Sequence, residues 1–162
     1  MVTDKMAQEG RLKWFCREIL GREIDLDVFE EKLTIQKATY ITQQLGMRWD
    51  YVYGWYVRGV YSSKLTVDLY EQKNLNPAYE PAAEEKAVME RIRPIKTLFS
   101  GLSEFKNMQD AYELVSTIVY AKKHKQMTKK EEITGFTKNV KPWFSDEHIE
   151  RAMEYVEELN QA

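Results

Sequence analysis

Apolar residues recur in this chain at three- and four-residue intervals almost throughout, and at two-residue intervals in one place. The exception is Trp49-Asp50-Tyr51-Val52-Tyr53-Gly54-Trp55-Tyr56-Val57, whose odd positions read Trp, Tyr, Tyr, Trp, Val. Three-to-four spacing marks amphipathic helices, and two-residue alternation of β-favouring residues marks an extended segment. The expected fold is therefore mostly α, a compact bundle of six to seven helices with at most a short extended segment near 49–57. At 162 residues the chain is expected to form one domain, 1–162.

The punctuation places the helices. A first helix runs from about Thr3 to Leu20, with Leu12, Phe15 and Ile19 inward and Gly21 as its stop. A second starts near Asp27, an N-cap with Glu30 in capping-box position, carries Leu33, Tyr40, Ile41 and Leu45, and ends at Gly46. Arg58-Gly59-Val60-Tyr61 turns the chain into a short helix capped by Ser62 or Ser63 and reaching about Lys73. Asn74 to Glu80 is a loop, and Pro81 suits the first turn of the next helix. There the stripe Val88, Ile92, Ile95, Phe99 continues through Pro94, which predicts a kink more than a break. Asn107 caps a helix with the widest apolar face (Met108, Tyr112, Val115, Ile118, Val119), the best candidate for a central buried helix. Thr128-Lys129-Lys130-Glu131 reads as a capping box for a sixth helix, stopped by Pro142. Ser145 caps the last helix, with Phe144 placed to staple onto Ile149.

Composition narrows the function classes. Net charge is −2, so no global basic signal points to nucleic acid or anionic lipid. A single cysteine, Cys16, beside Phe15, reads as a small buried residue and fits a reducing, cytoplasmic setting. No apolar run approaches the roughly 18 residues of a membrane span, and Met1 to Gly10 holds no signal-peptide core. His124, His148 and Cys16 form no zinc pattern, and there is no Gly-rich phosphate loop and no nucleophile elbow. No cofactor, metal or catalytic residue is therefore expected, and the chain reads as non-enzymatic. The carboxylates of Glu154, Glu157 and Glu158 are expected on an exposed helix face. A deep polar pocket with convergent carboxylates would revive a hydrolase or nuclease reading.

Three features stand out. In the aromatic segment most rings are expected in the core, yet Trp, Tyr and Arg are also the residues of interface hot spots, and Trp55-Tyr56-Val57-Arg58 gathers all three. A strand in a helical protein lacks obvious partners, so its edge is open to a strand from another chain. Lysines 122, 123, 125, 129, 130, 138 and 141 face only Glu131 and Glu132, an excess of five positive charges over 122–141. A solvated face balanced by the acidic last helix is the simpler reading; nucleic-acid contact through Lys122, Lys123, Lys125, Lys129 and Lys130 is the alternative, without an arginine for base readout. Gln36-Lys37 interrupts the stripe of the second helix. Such residues usually lie at a solvated edge, and if buried they need partners.

Two of these segments carry a resemblance. Lys32-Leu33-Thr34-Ile35-Gln36-Lys37-Ala38-Thr39-Tyr40-Ile41 resembles the "KLQKLLYL" type of helix. Trp55-Tyr56-Val57-Arg58-Gly59-Val60-Tyr61-Ser62, followed by Leu65 and Asp68-Leu69, resembles "WY.yGPYS..L..DL", with Val60 where proline is usual. Together they resemble YwgA-like bacterial and archaeal proteins and, more distantly, the Panacea-type domain of antitoxins and phage-associated proteins. The resemblance implies a helical, non-enzymatic module that binds another protein, such as a toxin, or acts in regulation; a homo-oligomer is compatible with it. The expected partner-binding residues are Trp55, Tyr56, Arg58, Gly59, Tyr61 and Ser62, weighted toward Tyr56, Arg58 and the Gly59–Tyr61 turn. The alternative is a transcriptional regulator using the basic stretch.

Overall fold

A computed structural model describes residues 4–73, 78–102, 104 and 106–161. It is 66% helical, with seven α-helices and a single two-stranded antiparallel sheet among the described residues, the mostly α fold expected from the spacing. The chain divides into two compact units, 1–90 and 91–162. Asn74 to Pro77, most of the expected central loop, and Thr3 lie outside the described residues.

The first unit holds α1 (Asp4–Leu20), α2 (Phe29–Gln44), β1 (Gly54–Tyr56), β2 (Gly59–Tyr61), α3 (Ser63–Gln72) and most of α4 (Ala83–Ile92). α1 packs on α2 and α3, and α2 packs on β2. Leu12, Phe15, Cys16 and Ile19 of α1 meet a core that also buries Ile35, Tyr40, Ile41, Leu65 and Leu69. α2 is the central element here, with every residue from Thr34 to Thr42 buried. Its polar content hid that role. The threonines bond back to their own helix, Thr34 Oγ1 to Glu30 O at 2.8 Å and Thr42 Oγ1 to Ala38 O at 3.0 Å, so they enter the core already satisfied.

The start of α2 departs from expectation. Its N-cap is Val28, with no side-chain cap, and the helix opens at Phe29. Asp27 does not cap it, because the helix begins one residue later than the predicted cap requires. The Glu31 carboxylate accepts the Asp25 amide at 2.9 Å and pairs with Arg22, so the connection from α1 is tied to the first turn of α2 by Glu31. At α4, Glu85 is buried and accepts from the Ala82 amide (2.9 Å) and the Tyr79 hydroxyl (2.6 Å), a cap for the helix start.

Pro94 breaks the helix. α4 ends at Ile92, and Arg93–Thr97 is a 3-10 turn. Proline removes the amide that would continue the α pattern and crowds the carbonyl four residues back, so the tighter turn wins over a kink. Ile95 and Phe99 stay buried, which is why the stripe runs through the break.

The second unit contains this 3-10 turn, α5 (Met108–Lys123), α6 (Lys130–Val140) and α7 (Asp146–Gln161). α5 is central, as its apolar face predicts. It packs on α6, α7 and the 3-10 turn, buries Leu114, Val115 and Ile118, and opens with the Asn107–Asp110 capping box. The expected Thr128–Glu131 box is absent: Lys129 is the N-cap of α6 and makes no side-chain cap. Ser145 caps α7, its Oγ accepting the His148 amide at 3.3 Å, and Phe144 and Ile149 are both buried. Arg151 of α7 donates to the carbonyls of Leu98 and Ser100 at 3.0 and 3.1 Å, and Lys141 meets Glu113 of α5 at 2.8 Å in a largely buried ion pair.

Candidate functional site

The alternating segment splits in two. Trp49 and Tyr51 are buried, as odd positions should be; Tyr53 and Trp55 are half-buried; Val57 is 97% exposed. The alternation fails at its end because the chain reverses there. β1 pairs with β2 in the register Gly54–Tyr61, Trp55–Val60, Tyr56–Gly59, leaving Val57-Arg58 as a two-residue loop. The turn is thus Val57-Arg58, and Gly59–Tyr61 is a strand rather than a turn. Gly59 has φ +100°, a conformation in which a Cβ is strained, so glycine closes the hairpin.

What holds the hairpin is the pair that interrupted the α2 stripe. Lys37 is buried and donates to the carbonyls of Arg58 (2.6 Å) and Val60 (2.9 Å). Gln36, also buried, accepts the Ser62 amide (2.8 Å) and donates to the Ser62 carbonyl and Thr66 Oγ1, each at 3.0 Å. Lys37 and Gln36 therefore read backbone along the outer side of β2, and that edge is closed to strand addition. The two segments quoted for the family resemblance meet here: the helix motif supplies the donors, and the hairpin motif supplies the carbonyls.

The expected partner-binding residues divide accordingly. Gly59 and Ser62 are buried; Ser62 caps α3, accepting the Leu65 amide at 3.4 Å. Tyr61 is half-buried and accepts a hydrogen bond from Thr66 at 2.7 Å. Trp55 is half-buried, whereas Tyr56 (57% exposed) and Arg58 face outward. Tyr56 is nevertheless ordered by its neighbours. Its ring lies edge-on to Tyr61 at 5.6 Å and close over Gly54, where a Cβ would come within 2.7 Å of it.

Residues the sequence did not single out extend this face. The Arg58 guanidinium lies over Phe29 at 5.4 Å from the ring centroid. One helical turn along α2, Lys32 donates to the Tyr70 hydroxyl at 3.0 Å, its Nζ 5.4 Å from the ring centroid. Phe29 and Tyr70 are 47% and 45% exposed. Among the described residues, six of the seven large exposed hydrophobics lie in the first unit, so the exposure is concentrated. Tyr70 stands off the Leu65–Leu69 stripe, the only hint of its exposure in the sequence.

A cleft of about 590 Å³ opens elsewhere in the first unit, lined by Glu9, Trp49, Asp50, Tyr51, Lys64 and Asp68 among others. Its Asp68 is buried and committed: Tyr51 donates to one carboxylate oxygen at 2.7 Å and Lys64 to the other at 2.8 Å. Burial first, and then Asp68, pushes the Tyr51 phenol well above its ordinary range, so it serves as a donor. Among the described residues no cluster of three His, Cys, Asp or Glu side chains could hold a metal. Cys16 is buried and its thiol is pushed up, chiefly by burial.

The lysine-rich stretch is largely neutralised. Lys122 pairs with Glu157, Lys130 with Glu150, Lys138 with Asp146 and Lys141 with Glu113, three of these acids lying on α7. Lys123, Lys125 and Lys129 are exposed, and Lys125 lies over Phe136. Glu154, Glu157 and Glu158 are exposed, as expected. No helix among the described residues is long and apolar enough to cross a membrane.

Compared with known proteins, the chain matches no family model, no curated protein and no solved structure.

Proposed function

We propose that the protein is a non-enzymatic interaction module that engages another protein through the hairpin tip, with Tyr56 and Arg58 at its centre. The carrying observation is an exposed Tyr-Val-Arg tip held rigid from below by buried donors on α2. Groups fixed before binding lose little freedom on binding, and Tyr and Arg are favoured anchors. An antitoxin-like or regulatory role follows from the resemblance of residues 32–41 and 55–69, and a toxin is the partner it suggests. The basic stretch receives less support, since four of its seven lysines are ion-paired.

The test is partner capture from native lysate with wild-type protein, a Tyr56→Ala/Val57→Ala/Arg58→Ala variant, and a Lys123→Ala/Lys125→Ala/Lys129→Ala variant. The tip variant should lose a partner that the lysine variant retains. An unchanged set of captured proteins with the tip variant, its helical circular dichroism intact, would refute the proposal.

A further inference from the structure

The cleft beside Trp49 already holds an alkylammonium, and that group is weakly tethered. Lys64 of α3 donates to Asp68 at 2.8 Å, but the two ends of the pair are unlike: the Lys64 side chain is 64% exposed and that of Asp68 is 5% exposed. The residues lie four apart on one helix with the lysine first, the weaker order for such a pair, and a pair with one end in water holds loosely. Asp68 itself is fixed, since Tyr51 donates to its other oxygen at 2.7 Å. Each carboxylate oxygen accepts two hydrogen bonds, so the oxygen facing Lys64 has room for a second donor.

The wall around that oxygen favours positive charge. Its charged residues are Glu9, Asp50, Lys64 and Asp68, three carboxylates to one ammonium. Glu9 is buried and Asp50 exposed. The Lys64 ammonium is held above its ordinary range, first by the hydrogen bond to Asp68 and then by its charge, with Glu71 and Glu9 adding. Arg11, over the Trp49 ring, is turned to Glu85. At about 590 Å³ the cleft falls in the size range of small-ligand pockets, roughly 300–1,000 Å³.

We infer that the cleft binds a primary alkylammonium group, which takes or shares the place of Lys64 on Asp68. Glu9 and Asp50 supply the surrounding negative charge. The group has two sources, a free alkylamine or the side chain of a lysine on a partner protein. Its close relatives fit less well. A guanidinium pairs bidentately with two carboxylate oxygens side by side, whereas here one oxygen is held by Tyr51 and the other meets Lys64. A quaternary ammonium needs open ring faces, and Trp49 and Tyr51 are 2% and 5% exposed. The cleft is separate from the hairpin tip, and neither reading depends on the other.

The experiment titrates the isotope-labelled full chain with N-acetyl-lysine methylamide and follows the amide signals of Trp49 to Tyr51 and Lys64 to Asp68 by NMR. A dissociation constant of about 1 mM is expected for a ligand of this size. Asp68→Asn should abolish saturation. Asp50→Asn, whose side chain tolerates the φ of +58° there, should weaken binding about threefold, the scale of one exposed charge. Lys64→Met should strengthen it about twofold, since a tethered competitor of that worth is gone. Pentylamine bound as tightly as the blocked lysine assigns the site to small amines; a several-fold preference for the blocked lysine assigns it to a lysine of a partner. Equal shifts with N-acetyl-arginine methylamide or with trimethyllysine would show only a diffuse field and overturn the inference. Binding unchanged in Asp68→Asn, or weakened by Lys64→Met, would overturn it too. Circular dichroism confirms that each variant folds, and if Asp68→Asn does not, the opposed responses of the exposed Asp50 and Lys64 variants decide alone.

Discussion

Lys37 shows how a single buried cation can organise a surface loop. An ammonium out of water needs its donors satisfied, and here two carbonyls of the hairpin satisfy it. Replacing it with methionine keeps the stem and strands the carbonyls. Lys37→Met should cost about 1–3 kcal/mol, the penalty for unsatisfied buried acceptors. Urea unfolding measures the loss, and hydrogen exchange should show hairpin amides opening faster than those of α5. Gly59→Ala should cost about 1–2 kcal/mol, because φ +100° is strained for any residue with a Cβ. Glu31 titrates in the opposite sense to a buried lysine. The hydrogen bond from Arg22, foremost, holds its carboxyl below the usual range, against a smaller upward push from burial. Its folded value is thus depressed, so its contribution is present above about pH 4.3, the unfolded value, and is lost as pH falls through the folded one. Glu31→Gln should flatten the acid limb of the stability curve while leaving its neutral plateau lower.

At the scale of elements, periodicity was a sound guide wherever one face alone is buried. α5 was legible because its apolar face is wide and its Asn107 cap is local. The prominence of α2 was not, because Thr34, Gln36, Lys37, Thr39 and Thr42 look like a solvated edge until their bonds are known. Both predicted capping boxes miss by one residue: α2 is capped at Val28 in place of Asp27, and α6 at Lys129 in place of Thr128, neither with a side-chain cap. The hairpin was half legible, since alternation marks a strand but does not say where it reverses. In the candidate site, Tyr56 and Arg58 were readable from residue type. Phe29, Lys32 and Tyr70 join them only through the packing of α2 beside the hairpin and α3, which no local pattern encodes. The Lys141–Glu113 pair ties the end of α6 to α5, and Lys141 is buried. Glu113→Gln should destabilise by about 3 kcal/mol, since it leaves a buried cation without its carboxylate; thermal unfolding reads it directly.

For the whole molecule, the ion pairs close within each unit. The lysines of α5 and α6 meet the acids of α7, and the arginines of α1 meet acids of their own unit. Exposed pairs of this kind contribute little, about 0–1 kcal/mol each, and salt weakens them. Raising the salt from about 0.05 to 0.5 M should therefore move the melting temperature by only a few degrees, within what 1 kcal/mol produces in a chain of this size. A calorimetric scan at the two salt concentrations checks this. A larger loss would mean that the pairs act as a network.

The way Lys37 and Gln36 grip the hairpin has an evolutionary corollary. Most of their contacts are to main chain, at Arg58, Val60 and Ser62, and so are indifferent to which side chains stand at 56, 57 and 58. The scaffold and the hairpin tip are thereby uncoupled. On the interaction reading proposed above, substitutions at the tip would redirect recognition without reopening the problem of how the protein folds, and a lineage carrying this lock would be free to follow a changing counterpart at little cost to its own stability.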